Sequence, residues 1–379
     1  MDFAFNEEQR ELRSTARGFL AERSGPEQVR RAMESELGYD PELWKQIASE
    51  LGWTAVTIPE AYGGLGLGYV ELVALLEEMG GALLCAPFFS SVCLGANALL
   101  VLGSESQKRE YLPLIAEGET LATLACTGPG GTWDTDTLGV TSTQDGGAFV
   151  LDGRSRFVLD GHVADLLIVA ARREGTRGSQ GIGLFLVPAT ARGVSRHAVP
   201  TMDQTRRLAE VRLDGVQVPV SHQLGGEAEA GPALRRILDL AAIALSAEQV
   251  GGAQRCLDLA VDYAKQRVQF GRPIGSFQAI KHKCADVMVA VESARSACYY
   301  AGCVAAENGE ELPSVASLAK AYCSDAYFRA AAECLQIHGG VGFTWEYDVH
   351  LYFKRARSSE VFLGDPAYHR ERVAREIGL

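Results

Sequence analysis

The 379-residue sequence lacks paired cysteines, an excess of basic residues and long apolar runs, and each absence excludes a class of protein. None of the nine cysteines has CxxC spacing and their number is odd, so we expect reduced, mostly buried thiols and no metal site. No apolar run could span a bilayer and no basic leader precedes an apolar core, so we expect a cytoplasmic protein without membrane insertion. Lys plus Arg is 36 against 48 for Asp plus Glu, which disfavours nucleic-acid binding.

The residues that are present divide the chain into three stretches of different pattern. Residues 1–117 have helical periodicity, residues 118–228 contain short β-branched runs between Gly, Asp and Thr clusters, and residues 229–379 are again helical. The connections in the middle stretch are too short for crossover helices, so we expect an antiparallel sheet rather than a Rossmann fold. The predicted fold class is therefore multidomain α+β, with an N-terminal helical domain, a middle β domain and a C-terminal four-helix bundle.

Capping residues predict where several helices begin. Asn6 with Gln9, and Ser104 with Gln107, have the spacing of a capping box. Asp40 followed by Pro41 is a second kind of helix start, because proline loses nothing at the first helical position. Further helices are predicted from their periodicity and apolar content at 70–79, 232–268, 276–308, 313–338 and 366–377. Strands are predicted at 121–125, 147–151, 166–170, 183–187 and 208–213.

Three glycine-containing segments are candidates for ligand binding. Tyr62–Gly68 does not follow a strand and its spacing does not fit a dinucleotide fingerprint, so we interpret it as a turn between helices. Arg267–Gln278 follows a long helix and offers a guanidinium for a pyrophosphate, a flat aromatic ring and an amide. Gln336–Phe343 ends a helix with glycines that let the backbone approach a ligand closely. Taken alone, each of the last two is also compatible with a simple helix boundary.

Together, these segments resemble the acyl-CoA dehydrogenase family. The resemblance is carried by Arg-Val-Gln-Phe-Gly-Arg-Pro-Ile and Phe-Gln in 267–278 and by Gln-Ile-His-Gly-Gly-Val-Gly-Phe in 336–343. Pro59-Glu-Ala-Tyr-Gly-Gly-Leu-Gly and Leu151-Asp-Gly-Arg are similar to the same family, so the resemblance covers nearly the whole chain in the right order.

The resemblance implies an FAD cofactor shared between neighbouring subunits and an acyl-CoA thioester substrate. It assigns Arg267, Phe270 and Gln278 to the pyrophosphate and adenosine end of an FAD held mainly by the adjacent subunit. The residues implied to contact the same cofactor are Gln336, Ile337, His338, Gly339 and Gly340. Electron-transfer flavoprotein is the implied electron acceptor.

The residues implied for proton transfer depart from the family pattern. A carboxylate must remove the α-proton of the thioester while the β-hydrogen leaves as hydride to the flavin. The usual position of this base is occupied by Leu363, and an alternative family position corresponds to Ala241 or Ala242. Glu248 lies about two helical turns beyond Ala241, on the same helix face, and is the nearest substitute; a structural role is the simpler interpretation. Glu360 is expected to point elsewhere, and Asp365 to cap the last helix.

The middle stretch departs as well. The family's Thr-Glu-Pro-x-x-Gly-Ser-Asp corresponds to 127–134, where Gly128 replaces the Glu. The family's Trp-x-Thr/Ser, which covers the flavin, corresponds to 157–159; Phe157 can cover a ring, but Leu159 cannot donate a hydrogen bond.

The pattern of retained and lost residues predicts a subunit that completes FAD sites on a catalytic partner. The residues implied for the adenosine end of FAD, Arg267, Phe270 and Gln278, match the family pattern. The residues implied for the flavin ring and for the base do not match it. The chain is similar to the non-catalytic subunits of actinobacterial α2β2 acyl-CoA dehydrogenases that act on sterol-derived thioesters. Three alternatives stay open: a homotetrameric dehydrogenase with a relocated base, a flavin monooxygenase-like relative, and an assembly protein without catalysis.

Overall fold

The computed structural model describes residues 6–128, 130–178 and 180–379. The α-helices are α1 Glu7–Arg23, α2 Pro26–Glu34, α3 Pro41–Lys45, α4 Tyr69–Gly81, α5 Asn97–Leu102, α6 Glu105–Ala116, α7 Glu227–Gln266, α8 Gln278–Ala306, α9 Leu312–His338, α10 Val349–Val361 and α11 Pro366–Glu376. The strands are β1 Ala122–Ala125, β2 Val140–Asp145, β3 Ala148–Leu159, β4 Leu166–Arg173, β5 Ile182–Pro188, β6 Val194–Val199, β7 Leu208–Pro219, β8 Gln223–Leu224, β9 Val268–Gln269 and β10 Arg272–Pro273.

The predicted helix starts are confirmed. The Asn6 side chain accepts a hydrogen bond from the Gln9 backbone, and the Gln9 side chain bonds back to the Asn6 backbone. Ser104 and Gln107 form the same reciprocal pair at the start of α6. Asp40 caps the short helix α3 through the Glu42 backbone at 2.9 Å. These local signals were sufficient because each cap satisfies backbone groups that the helix itself leaves unpaired.

Two compact units can be distinguished, and each is described by itself. The first comprises the residues up to Arg31, Tyr69–Leu84 and Ala242–Leu379. Within it, α8, α10 and α11 pack against α9, and α4 packs against α1 and α8. The α4 and α7 backbones cross closely: a Cβ at Gly251 would lie 1.7 Å from the Glu77 carbonyl oxygen, and one at Gly80 would lie 2.1 Å from that of Glu248. Larger residues are therefore excluded at both glycines.

The second unit comprises Ala32–Gly68 and Cys85–Ala241 and contains the larger sheet. Its strand order is β6-β7-β3-β2-β4-β5-β8, and β1 pairs with β4. The expectation of an antiparallel sheet holds for most pairs, but β1–β4 and β2–β4 are parallel. The core between the strands is built from apolar side chains such as Leu151, Val211 and Phe185, each at most 1% exposed. In the helical part of this unit, Trp44 Nε1 donates a hydrogen bond to the Gly118 carbonyl, between α6 and β1, at 2.9 Å.

Some features were not predicted from the sequence. Helices α2, α5 and α10 and strands β2, β6, β8, β9 and β10 were not among the predicted elements. The predicted long helices and the five predicted strands are present, with ends shifted by up to eight residues, at the end of β3. All nine cysteines are free and seven are buried, as expected. In the described part of the chain, no helix is long and apolar enough to cross a membrane, and no cluster of His, Cys, Asp or Glu could hold a metal ion. The division into stretches 1–117, 118–228 and 229–379 stays a prediction.

Candidate functional site

The segment after α7 folds as a small exposed hairpin. Strand β9 pairs antiparallel with β10, and the turn between them contains Phe270 and Gly271, both with positive φ. The hairpin is closed by the Ile274 backbone N–H, which donates to the Arg267 carbonyl at 2.8 Å. Arg267 and Gln278 both lie at the surface, at the end of α7 and the start of α8. The sequence therefore folds into a rigid projection that keeps all three predicted side chains exposed.

The aromatic rings of the hairpin make it an unusual surface for an isolated chain. Phe270 is 91% exposed, which leaves nearly all of a large apolar side chain in water. Its ring lies 6.1 Å from that of Phe277, and the Arg272 guanidinium lies 4.2 Å from the Phe277 ring centre. An exposed aromatic ring on a hairpin that also carries exposed arginines, Arg267 and Arg272, suits a ligand that combines a flat base with phosphates.

The glycine segment at the end of α9 is open on the side of its backbone. Gly339 has φ 65° and ψ −145°, a conformation that disfavours residues with a side chain. A Cβ at Gly339 or Gly340 would meet no described atom within 4 Å, so the space beside the turn is free for a ligand. Gln336, one turn earlier, is exposed. The turn thus presents backbone and one amide side chain to the surface.

Ile337 and His338 lie differently from the residues around them. Both are 7% exposed, so their side chains belong largely to the interior. The His338 ring stacks on Tyr263 at 4.2 Å between centroids, and its Nδ1 lies 2.8 Å from the Cys334 carbonyl oxygen. Their side chains support the turn from inside, and only their backbone remains available for a cofactor.

The positions that could carry a base are apolar and buried. Leu363 is 4% exposed, and Ala241 and Ala242 are at most 1% exposed. Leu363 also has φ 63°, a strained conformation for a branched residue, so the surrounding structure holds it in place. None of these side chains can accept a proton.

The nearby carboxylates have structural partners. Glu248 has a side chain only 12% exposed and lies 3.8 Å from the Arg355 guanidinium, which is itself buried. Glu360 forms an ion pair with Arg357, one turn earlier on α10. Asp365 accepts a hydrogen bond from the Tyr368 backbone at 2.7 Å and caps α11, as predicted.

The middle segment places Phe157 as a half-buried ring with φ 56°. Arg156 lies over this ring, 5.1 Å from its centre, and a Cβ at Gly131 would lie 2.5 Å from a ring carbon. Leu159 is 2% exposed, and its carbonyl accepts a hydrogen bond from Thr123 at 2.6 Å. The segment 127–134 includes Pro129, which lies outside the described residues.

The sequence interpretation missed a buried lysine. Lys320 on α9 is fully buried and donates to Ser324 Oγ and to the carbonyls of Glu360 and Gly364, at 2.9–3.2 Å. A signal was available: the position falls among buried alanines on α9, with Ser317 and Ser324 as the other buried polar residues three and four positions away on the same face. A buried ammonium requires hydrogen-bond partners, and the turn after α10 supplies them.

A cavity of about 620 Å³ in the first unit is lined by residues of α1, α4, α7, α8 and α10. Its charged lining includes Arg13, Glu78, Arg255, Asp258 and Arg295. It contains none of the residues predicted to bind the cofactor.

Family models account for nearly all of the chain. The N-terminal domain of acyl-CoA dehydrogenase matches residues 6–119, its middle domain matches 123–216, and its C-terminal domain matches 232–378. The three matches, in the order of the three parts of the fold, identify the class of protein as a flavoprotein dehydrogenase. The chain belongs to the acyl-CoA dehydrogenase family, whose members use FAD and are oxidoreductases acting on acyl-CoA.

Individual relatives narrow the comparison. Acyl-CoA dehydrogenase IpdE2 of Mycolicibacterium smegmatis is 36% identical, over 98% of this chain and 99% of its own. A chain of the ChsE4–ChsE5 complex from Mycobacterium tuberculosis is 29% identical with a TM-score of 0.90, over 100% of this chain and 99% of its own. A chain of the Tcur3481–Tcur3483 steroid ACAD (acyl-CoA dehydrogenase), solved as a variant, is 31% identical with a TM-score of 0.88, over 98% of both chains.

Proposed function

We propose that this chain is the subunit of a heteromeric acyl-CoA dehydrogenase that lacks its own base and completes the FAD sites of a catalytic partner. The observation that carries the proposal is a contrast within one chain. The hairpin is exposed and keeps Arg267 and Phe270, which match the family pattern. The base positions, in contrast, are occupied by the buried apolar residues Leu363, Ala241 and Ala242. A subunit that served only itself would need both parts.

The proposed cofactor contacts follow from what is exposed. Arg267 would hold the pyrophosphate of FAD through a charge-assisted fork, Phe270 would cover the adenosine, and Gln278 would donate or accept through its amide. The open backbone at Gly339 and Gly340, with exposed Gln336, would take another part of the same cofactor. When bound, FAD supplies the hydride acceptor for the substrate β-carbon, and this chain's residues bind and orient it.

The partner and substrate are proposed from the relatives. One similar chain is part of a complex of two different named proteins, and another belongs to a steroid acyl-CoA dehydrogenase. We extend both properties to this chain: an α2β2 assembly with a second dehydrogenase-like subunit, acting on a bulky, steroid-like CoA thioester. Electron-transfer flavoprotein is the proposed electron acceptor, because one similar solved chain, with a TM-score of 0.93, comes from a study of the electron-transferring flavoprotein of Acidaminococcus fermentans.

A homotetramer with Glu248 as a relocated base is a weaker alternative. The Glu248 carboxylate lies 3.8 Å from the buried Arg355 guanidinium, so this acidic group already has a partner within the protein. The contact favours a structural role for this residue. The alternative nevertheless defines a direct test, because it requires activity without a partner.

Replacing Arg267 should weaken FAD binding in the assembled protein. Loss of a charge-assisted bidentate contact costs about 1.5–3 kcal/mol, so Arg267→Ala should lower flavin affinity by roughly one to two decades. Flavin occupancy after gel filtration, measured by absorbance against protein concentration, gives the result. Arg192→Ala, which removes an exposed arginine from the other compact unit, is the matched control and should leave occupancy unchanged. Full occupancy in Arg267→Ala would refute the clamp.

A further inference from the structure

The turn between α10 and α11 has a left-handed backbone conformation that is unfavourable for Leu363. After Val361 the chain passes through Leu363 and Gly364, with φ of 63° and 103°. A Cβ at Gly364 would lie 2.4 Å from the Tyr368 ring, so only glycine fits there. A leucine in the left-handed region costs about 1–3 kcal/mol and persists only where the surroundings hold it.

Two buried side chains from other elements hold this turn by its carbonyl groups. Lys320 is 0% exposed and directs all three ammonium hydrogens to acceptors: Ser324 Oγ at 2.9 Å, the Gly364 carbonyl at 3.1 Å and the Glu360 carbonyl at 3.2 Å. His369 is 1% exposed, and its Nε2 lies 2.9 Å from the Leu363 carbonyl oxygen. Three carbonyl groups in five residues are therefore bonded to side chains.

The protonation state of His369 is set by its surroundings. Burial, followed by the charges of Lys320 and Arg372, lowers the pKa of His369 to about 3. Its Nδ1 is buried, and no described residue offers it a hydrogen bond. The ring is therefore neutral with its proton on Nε2, where it is donated to the Leu363 carbonyl.

A further network connects the ammonium to α7. Ser324, which accepts from Lys320, also accepts from Gln249 Nε2 at 3.0 Å, and the same amide nitrogen donates to the Ser359 carbonyl at 3.1 Å. The ammonium and these three side-chain and backbone partners thus form one hydrogen-bonded set that joins α7, α9 and α10. Such a set is rigid, because removing one member leaves its neighbours unpaired in a dry interior.

We infer that Lys320 is a positioning residue that fixes the turn 361–364 and with it residue 363, the position at which the family carries its base. Its meaning for catalysis rests on the proposed function, since residue 363 faces a substrate only if this chain shares the family's site. In this chain residue 363 is a leucine. The Lys320 contacts therefore fix the shape of a turn whose residue 363 cannot exchange a proton with a substrate.

The ammonium gives the turn a distinctive pH dependence. Burial lowers the pKa of Lys320 to about 7, against the opposing effects of Cys323, Glu360, Asp365 and Asp325. The other groups that face it are neutral: His369 from α11 and Gln249 from α7. Above pH 7 the closed state therefore holds Lys320 mostly as a neutral amine, which still donates two hydrogens to these acceptors. Because the closed state has the lower pKa, an opening that hydrates Lys320 takes up a proton between pH 7 and the ordinary lysine value. The closed turn therefore gains protection as pH rises above 7 and is least protected below it.

Hydrogen exchange of the purified chain tests this inference. After correction for the intrinsic rate, the amides of 361–364 should exchange roughly tenfold more slowly for each pH unit from about 7.5 to 9. In Lys320→Met this slope should vanish and the turn should exchange at least about tenfold faster at pH 8, with the rest of α9 little changed. Lys320→Gln keeps two donors without a charge, so it should lose the slope but retain much of the protection. Lys281→Met, an exposed lysine on α8, is the control.

The outcomes are separable from those of the proposed function, because no partner, flavin or substrate is needed. A flat or reversed slope in the wild-type protein, or unchanged turn exchange in Lys320→Met, would overturn the positioning role. If Lys320→Met does not fold, the wild-type profile and Lys320→Gln decide the matter. If the exchange rates show the expected pH dependence and the chain is also active without a partner, the positioning role of Lys320 is supported and the proposed heteromeric function is contradicted.

Discussion

The chain purified without a partner should show negligible dehydrogenation of any acyl-CoA thioester. The α-proton of a thioester is only weakly acidic, and a positioned base contributes typically 10²–10⁴-fold to its removal. Leu363, Ala241 and Ala242 cannot supply that base, and Glu248, the carboxylate considered as a substitute, lies 3.8 Å from the Arg355 guanidinium. Turnover with an artificial electron acceptor, across thioesters from butyryl-CoA to steroid-like substrates, is the measurement. The co-purified complex assayed at equal flavin concentration is the positive control.

Robust activity of the chain alone would contradict this prediction and direct attention to Glu248. Glu248→Gln keeps the size of the side chain and removes the base. If Glu248 carries proton transfer, this variant should lose activity by orders of magnitude while still binding flavin. If the residue is structural, Glu248→Gln should change stability rather than turnover.

Removing the Glu77 carboxylate should destabilise the first compact unit strongly. Glu77 on α4 is 2% exposed and lies between Arg13 of α1 and Arg295 of α8, the latter at 3.1 Å; it also accepts from Tyr299. Removing one partner of a buried ion pair costs up to about 3–5 kcal/mol when the other charge is left uncompensated. Arg13 keeps its ion pair with Glu78 and Arg295 keeps its ion pair with Glu292, so Glu77→Ala should cost somewhat less than that limit. Glu77→Ala leaves two guanidinium groups in that position. The urea midpoint of unfolding should therefore fall sharply.

Glu292→Ala is the matched control for Glu77→Ala. It removes another carboxylate from the same Arg295, but the Glu292 side chain is 55% exposed, and exposed pairs contribute about 0–1 kcal/mol. If both variants lose the same small amount of stability, the Arg13–Glu77–Arg295 group does not carry the energy assigned to it. A changed m-value would indicate that the transition is no longer two-state and would call for local exchange measurements.

Local signals in the sequence predicted the helix starts well and the sheet pairing poorly. Asn6 and Ser104 form caps with residues three positions away, so the information is contained in four consecutive residues. The parallel pairing of β1 with β4 joins Ala122 to Leu166, and no turn chemistry specifies it. Helix α10 was missed because its capping residue, Asp348, makes no side-chain cap bond to mark its start.

The candidate site divides in the same way. Arg267, Phe270 and Gln278 lie in one short segment, so their common exposure follows from one hairpin. The burial of Ile337 and His338 was not predicted, and the His338 ring packs on Tyr263, more than seventy residues earlier in the chain. Lys320 was missed for a related reason: its acceptors are supplied by α10 and the following turn, which the sequence alone does not bring to α9.

The heteromeric assignment is tested most directly by counting flavins in the assembled protein. The chain is co-expressed with a candidate dehydrogenase-like partner, the complex is purified by a tag on one chain, and its mass is measured under native conditions. The account predicts an α2β2 assembly with two flavins per four chains, because only the partner supplies complete ring pockets and bases. A stable homotetramer of this chain that carries four flavins would contradict it.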